Sequence, residues 1–223
     1  MIPHMPGKNI NLKHSMTFMP VLKISSIYQS NKEETKMSYE NGLAFYVFDF
    51  LNEELNHFEG NYLEIGVFDG KLIQSLAKNH PNKTMVGIDP FIEDGWTTWL
   101  TNTPKGGELE NQKNNTLSGN EEYKNIIFYQ MTSEEFFNQL SDEQIEKFGI
   151  RIVFIDGDHS YESATLDYKL ALRLIGNNKG IIIFDDMNIE DVKKAQNEFA
   201  ELAKDIITGK KYIIDNAIVY YIN

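Results

Sequence analysis

The chain has no cysteine, which excludes disulfides, thiolate metal sites and a cysteine nucleophile. Basic residues are few: 21 Lys and Arg stand against 33 Asp and Glu, a formal charge of −12. A nucleic-acid surface needs clustered Lys and Arg to meet phosphates, so that partner is not expected. The same field would attract a cationic ligand. Apolar runs are strand-length at most, so no membrane-spanning segment is expected. The first residues lack a charged start followed by an apolar stretch and a small-residue cleavage site. No secretory signal is therefore expected, and the cytoplasm is the expected compartment. What is present is a chain of 223 residues, 41% of them hydrophobic. That is enough for one α/β domain with a full core, and too little for two ordinary enzymatic domains.

Short apolar runs ending in polar residues dominate the pattern: "NYLEIGVFDG", "KTMVGIDPF", "NIIFYQM", "IRIVFID" and "GIIIFDD". Each reads as a strand. Leu43, Tyr46, Val47, Phe50, Leu51, Leu55 and Phe58 recur at helical spacing ahead of the first, and Leu72 and Leu76 after it. Tyr161, Ala164, Tyr168, Ala171, Leu172 and Ile175 mark one face of a helix between the fourth and fifth. The final "KKYIIDNAIVYYIN" reads as two strands joined at Asp215-Asn216. Continuous apolar strands alternating with helices indicate a doubly wound α/β fold, a mainly parallel sheet covered on both faces. Residues 1–36 form an expected N-terminal arm and 37–223 the domain. Residues 91–125 are mostly polar yet hold both tryptophans, Trp96 and Trp99, so this insertion is expected to be a lid.

In such sheets ligands bind at the carboxyl ends of the strands, where the order reverses. Here those ends carry Glu64, Gly66, Asp69 and Gly70; then Asp89; then Thr132 and Ser133; then Asp156, Asp158 and His159; then Asp185 and Asp186. Helix capping would explain Asp89 or Asp158. It does not explain Asp156 together with Asp185 and Asp186. The glycines at 66 and 70 are too sparse for G-x-G-x-x-G, the dinucleotide fingerprint. Glu64 beside that turn would repel phosphate and suit an ammonium or sulfonium. Asp89 can hold both hydroxyls of a ribose. A cationic nucleoside fits better than NAD. Three converging carboxylates would raise one another's pKa, and a divalent cation such as Mg²⁺, Mn²⁺ or Ca²⁺ removes the penalty. His159, three residues after Asp156, would then take a proton from an acceptor hydroxyl. His4, His14, His57 and His80 read as surface residues.

"YLEIGVFDG", "VGIDPF", "MTSEEFFNQL", "VFIDGDHSYE" and "GIIIFDDM", in this order, resemble the class I S-adenosylmethionine-dependent methyltransferases. The "FIDGDHSY…FDD" pair is similar to the metal-dependent O-methyltransferases of macrolide and aminocoumarin sugars, and more distantly to the catechol type. The resemblance spans residues 40–190 and implies a Rossmann-like sheet of order 3-2-1-4-5-7-6 with an antiparallel last strand. It implies that Glu64, Gly66, Asp69 and Gly70 surround the methionine end of S-adenosylmethionine, Asp89 the ribose and Ser133 the adenine, with Asp156 bordering the cofactor. It implies Mg²⁺ (or Mn²⁺) on Asp156, Asp185 and Asp186, with His159 as base and Asp158 or Asp156 in reserve. Met131 stands where the family often has glycine. The implied acceptor is a small molecule with a sugar hydroxyl or other vicinal diol. A homo-oligomer built on the N-terminal arm is a further expectation.

Three rival readings remain. An NAD-linked oxidoreductase would want a third glycine and a proton relay, which the spacing of Tyr161 and Lys169 does not supply, and it leaves the three acids unexplained. A non-catalytic protein could keep the cofactor pocket. A metal-independent methyltransferase could use Asp156 or Asp158 directly as base.

Overall fold

The computed structural model describes residues 45–91, 113–114, 116–117, 122–213 and 216–223, which belong to one compact unit, Gly42–Asn223. The expected arm, the tryptophans Trp96 and Trp99 and most of the 91–125 insertion lie outside the described residues.

A first helix, α1 (Phe45–His57), leads into β1 (Asn61–Ile65), α2 (Lys71–Asn79) and β2 (Met85–Ile88). Next come β3 (Ile126–Tyr129), α3 (Ser133–Gln139), α4 (Asp142–Phe148), β4 (Ile150–Ile155), α5 (Tyr161–Ile175) and β5 (Gly180–Phe184). The chain ends with α6 (Glu190–Leu202), β6 (Ile207–Ile213) and β7 (Ala217–Ile222). One seven-stranded sheet has the order β3-β2-β1-β4-β5-β7-β6, the order expected. It is a Rossmann-like arrangement, with β5–β7 and β6–β7 antiparallel and the other pairings parallel.

The core forms because side chains alternate along each strand. Leu63, Ile65, Val153, Ile155, Ile182 and Phe184 pack under α5 and α6 on one face. Tyr62, Ile152, Phe154, Ile181 and Ile183 meet Leu51, Leu55, Ile73 and Leu76 of α1 and α2 on the other. On α5 the expected stripe is buried at Ala164, Tyr168, Ala171 and Ile175. Two short helices that hydrophobic spacing did not reveal, α3 and α4, each start with a capping box: Thr132 with Glu135, and Ser141 with Gln144. Strand β6 begins at Ile207, ahead of the expected Lys210. No helix among the described residues is long and apolar enough to cross a membrane.

Register positions the site. Ile88, Ile65, Ile155 and Phe184 lie side by side across four strands. One residue further on, Asp89, Gly66, Asp156 and Asp185 form a row, tied by Gly66 N–H to Ile88 O at 3.0 Å, Asp156 N–H to Ile65 O at 2.9 Å and Asp185 N–H to Ile155 O at 3.0 Å. The order reverses between β1 and β4, so the row crosses the switch point at Gly66 and Asp156.

Candidate active site

The turn between β1 and α2 explains its own glycines. Gly66 has φ 84°, and a Cβ there would stand 1.8 Å from the carbonyl oxygen of Asp156. Only glycine lets the ends of β1 and β4 approach so closely. Gly70, at φ 73°, precedes α2, and a Cβ on it would meet Thr116 Oγ1 at 2.8 Å. Thr116, a residue of the polar insertion, is itself buried and donates its hydroxyl to Phe68 O at 3.2 Å. Nothing in the sequence pattern marks this contact, because the residue sits in an unpatterned tract.

Glu64, Gly66, Asp69, Lys71, Leu72 and Asp156 line a cavity at this turn. Glu64 is buried, and burial is the main reason its carboxyl is pushed up to about 8, with Asp89 and Asp69 adding to the rise. The Tyr62 hydroxyl donates to Glu64 Oε2 at 2.9 Å and partly opposes that rise. Asp69 accepts from the Lys71 amide at 3.2 Å and pairs with its ammonium at 2.5 Å.

Asp89 has a second task beside the one its position implies. Its Oδ2 accepts from the amides of Val67 at 3.0 Å and Phe68 at 2.9 Å, and its Oδ1 from Phe91 at 2.7 Å. Part of its acceptor capacity therefore shapes the turn, where Phe68 is left-handed at φ 52°. Ser133 begins α3 and hydrogen-bonds the side chain of Asp167, a buried acid of α5 that desolvation raises to about 7.

At the ends of β4 and β5 the acids do not stand alone. Donor atoms of Asp156, His159 and Asp186 lie within 4.8 Å of one another. His159 Nε2 is 2.7 Å from Asp186 Oδ2. Burial lowers the imidazole pKa, but the hydrogen bond and charge of Asp186, then Asp158 and Asp185, outweigh it, so His159 is raised. Asp186 is lowered: burial raises it, and His159 and Asn216 overcome that. Asp156 is raised well above the carboxylate range, first by desolvation and then by Asp185, Asp186, Glu64 and Asp89.

Asn216 was expected only as part of a turn. Its amide donates to Asp185 Oδ1 at 3.2 Å and Asp186 Oδ1 at 3.0 Å, while its carbonyl receives the Met187 amide at 2.9 Å. These bonds support Asp186 in its left-handed backbone, φ 52°. The expected metal set was Asp156, Asp185 and Asp186; Asp156, His159 and Asp186 come within reach of one another, and Asp185 Oδ1 accepts from the Asp186 amide at 2.7 Å and from the Asn216 side chain at 3.2 Å. Asp158 is exposed and accepts the hydroxyls of Ser160 and Ser163, each at 2.8 Å, at the start of α5. His80 corrects an expectation. It is buried rather than on the surface, its Nε2 is 3.0 Å from Asn52 Oδ1, and burial and Lys83 lower its pKa. Asn79, which ends α2, and Lys83 in the turn beyond carry no pattern that marks it as inward.

A family model described as a methyltransferase domain matches residues 63–187, more than half of the chain. A curated relative, the uncharacterized protein R132 of Acanthamoeba polyphaga mimivirus, is 32% identical over 145 residues. Those residues are 65% of this chain, and the match spans 59% of the length of that relative. Among solved structures the fold is similar to the O-methyltransferase TomG from Streptomyces achromogenes, involved in tomaymycin synthesis and in complex with S-adenosylmethionine. The TM-score is 0.57 at 13% identity, covering 82% of each chain. It is also similar to CalS11, a TDP-rhamnose 3'-O-methyltransferase of calicheamicin biosynthesis, with TM-score 0.51 and 15% identity over 79% of this chain and 77% of that one.

Proposed function

This chain belongs to the methyltransferase-domain family, and from that premise we propose that it moves a methyl group from S-adenosylmethionine to a hydroxyl oxygen of a small molecule, a sugar or other vicinal diol, with help from Mg²⁺ or Mn²⁺. The observation that carries the reading is the row of strand ends. Among the described residues no cation pairs with the buried acid Glu64, which shares a cavity with Asp156, and one strand further on an acid already holds a histidine, Asp186 with His159 at 2.7 Å. The first suits a cationic ligand and the second a proton transfer. The CalS11 name supports a sugar acceptor by analogy of fold. The cytoplasm is the compartment this reading assumes.

S-adenosylmethionine, when bound, supplies a sulfonium-borne methyl group open to in-line displacement. Glu64, Gly66 and Gly70 would hold its methionine end, Asp89 its ribose and Ser133 its adenine. With Nε2 donating to Asp186 Oδ2 at 2.7 Å, it is Nδ1 of His159 that accepts the proton of the acceptor hydroxyl as the new O–CH₃ bond forms and the S–CH₃ bond breaks. Asp186 stabilises the imidazolium that results, and positioning by the turn supplies part of the rate. The residues present fit a divalent cation: Asp156 and Asp186 would hold it, with His159 or Asp185 completing the set, and the cation would lower the pKa of an acceptor hydroxyl. What supports that fit is the convergence of Asp156, His159 and Asp186, whose ligand atoms lie within 4.8 Å of one another. A metal-independent variant of the same reaction is favoured by one observation, the His159–Asp186 pair, which is already a base with its orienting acid.

The test is calorimetric titration of S-adenosylhomocysteine with Mg²⁺ or with chelator, followed by Mg²⁺ added to the cofactor-bound protein and to the Asp186→Asn and Asp185→Asn variants. Cofactor binding with Mg²⁺ uptake lost in Asp186→Asn supports the metal-assisted reaction. Cofactor binding without metal uptake leaves the His159–Asp186 pair to act alone. Absence of cofactor binding overturns the reading.

A further inference from the structure

Asp167 is an acid that the proposed reaction leaves without a task. It belongs to α5 and is 1% exposed. Its carboxyl reaches the ends of two strands. Beyond β4, a Cβ on Gly157 would stand 3.2 Å from Asp167 Oδ2. Beyond β3, the side chain of Asp167 bonds that of Ser133. Oδ1 is buried and, among the described residues, has no hydrogen-bond partner. A leucine of similar volume would fill this space without the cost of burying a carboxyl. The acid is therefore assigned to the serine. Ser133, partly exposed, opens α3, and α5 also holds the far end of that helix. There Arg173 donates to Phe137 O at 3.1 Å and to Leu140 O at 2.8 Å. The neighbouring hydroxyl is already committed: Thr132 Oγ1 accepts the Glu135 amide at 3.1 Å and donates to Glu135 Oε2 at 3.2 Å. Ser133 is the hydroxyl of the pair left to meet a ligand.

We infer that Asp167 is a positioning residue that sets base specificity: by taking the proton of Ser133 it leaves Oγ able to receive the exocyclic amino group of adenine and unable to serve the oxo group of hypoxanthine. This rests on the proposed cofactor, with Ser133 at its adenine, and deepens it by naming the residue that gives the contact a direction. A serine hydroxyl has one proton and two lone pairs. Once a carboxylate claims the proton, only the lone pairs face the ligand. An amino group meets them as a donor. An oxo group meets them with lone pairs of its own, and both oxygens are left unsatisfied. Without the acid the hydroxyl would turn to donate or accept as the ligand required, and the distinction would fade.

The probes are S-adenosylhomocysteine and S-inosylhomocysteine, its hypoxanthine analogue. Both are titrated calorimetrically into the wild-type chain, Asp167→Leu, Asp167→Asn and Ser133→Ala. Wild type should prefer the adenine ligand by on the order of tenfold or more. Asp167→Leu and Ser133→Ala should each narrow that preference about tenfold, and the double variant should narrow it no further, because the acid acts through the serine. Asp167→Asn keeps an acceptor oxygen for the Ser133 proton and should hold the preference to within about threefold of wild type. Thermal unfolding of each variant shows whether it folds; if Asp167→Leu does not, Asp167→Ala takes its place. A role confined to packing would weaken both ligands equally in Asp167→Leu, and that uniform loss overturns the inference. A preference that survives Ser133→Ala, or one lost as fully in Asp167→Asn as in Asp167→Leu, overturns it too. Equal wild-type affinity for the two ligands does the same while leaving the cofactor class intact. If wild type binds neither, the proposed function fails and this inference with it.

Discussion

Two places along the carboxyl edge of the same sheet collect acids, and they treat them in opposite ways. At β1, Glu64 is buried against an uncharged phenol, and its pKa climbs to about 8. At β5, Asp186 is set against His159 and the Asn216 amide, and its pKa falls while that of the histidine rises. The difference lies in what each acid is given, since burial opposes ionisation at both. An acid left without a counter-charge is poised for a cationic ligand; one supplied with an imidazole is poised to handle a proton. Asp156 stands between them at the switch point, where desolvation raises it first and the acids on both sides add to the rise. It is the position most in need of an added positive charge.

The joint between the two regions is Gly66, and breaking it should have the largest effect. In Gly66→Ala the new Cβ would stand 1.8 Å from the Asp156 carbonyl oxygen at φ 84°. Denaturant unfolding should show a loss of about 3 kcal/mol or more, or no folded protein at all. A variant as stable as wild type would mean that the strand ends are not packed this closely. Next comes the proton-handling region. His159→Gln should lower kcat on the order of 10² to 10³-fold with the cofactor still bound. In the metal-free wild type, the His159 imidazole signals should titrate above the ordinary 6.5, and Asp186→Asn should lower that midpoint, since burial would then act with less opposition. A midpoint unmoved by Asp186→Asn would dissolve the pair.

The cation-seeking region predicts a stability slope. Glu64 binds its proton more tightly folded than unfolded, about 8 against 4.5. Its contribution is therefore whole below the unfolded value and is lost as pH rises through about 8. Between about pH 5 and about pH 8 wild type should lose stability relative to Glu64→Gln, by on the order of 3 kcal/mol. Parallel pH curves for the two proteins would show that the carboxyl is ionised in the empty site. The smallest effect belongs to Asn216→Ala, which removes the amide held by Asp185 and Asp186; thermal or denaturant unfolding should register about 1 kcal/mol. Little or no change there would mean that the left-handed turn at Asp186 holds itself.

The strands and the placing of Glu64, Asp89, Asp156, Asp185 and Asp186 at one edge of the sheet were legible in the sequence, for a local reason, whereas the strand order came from the family resemblance. Apolar runs and the turn residues that end them are properties of neighbours in the chain, and a parallel sheet aligns strand ends automatically once the runs are registered. The short helices α3 and α4 were less legible, because seven residues carry little periodicity, although their capping boxes were written in the chain. The partners were not legible. Asn216 reaches Asp186 across 30 positions, Asp89 reaches the Phe68 amide across 21 and Thr116 covers Phe68 across 48. Nor could residue type tell that Asp158 would turn to two serines while Asp186 took the histidine. Sequence by itself determined where the acids would gather. Only the tertiary structure decided which of them would be compensated, because that depends on which donors packing brings within about 3 Å of a carboxylate, and hydrogen bonds fade steeply beyond that reach.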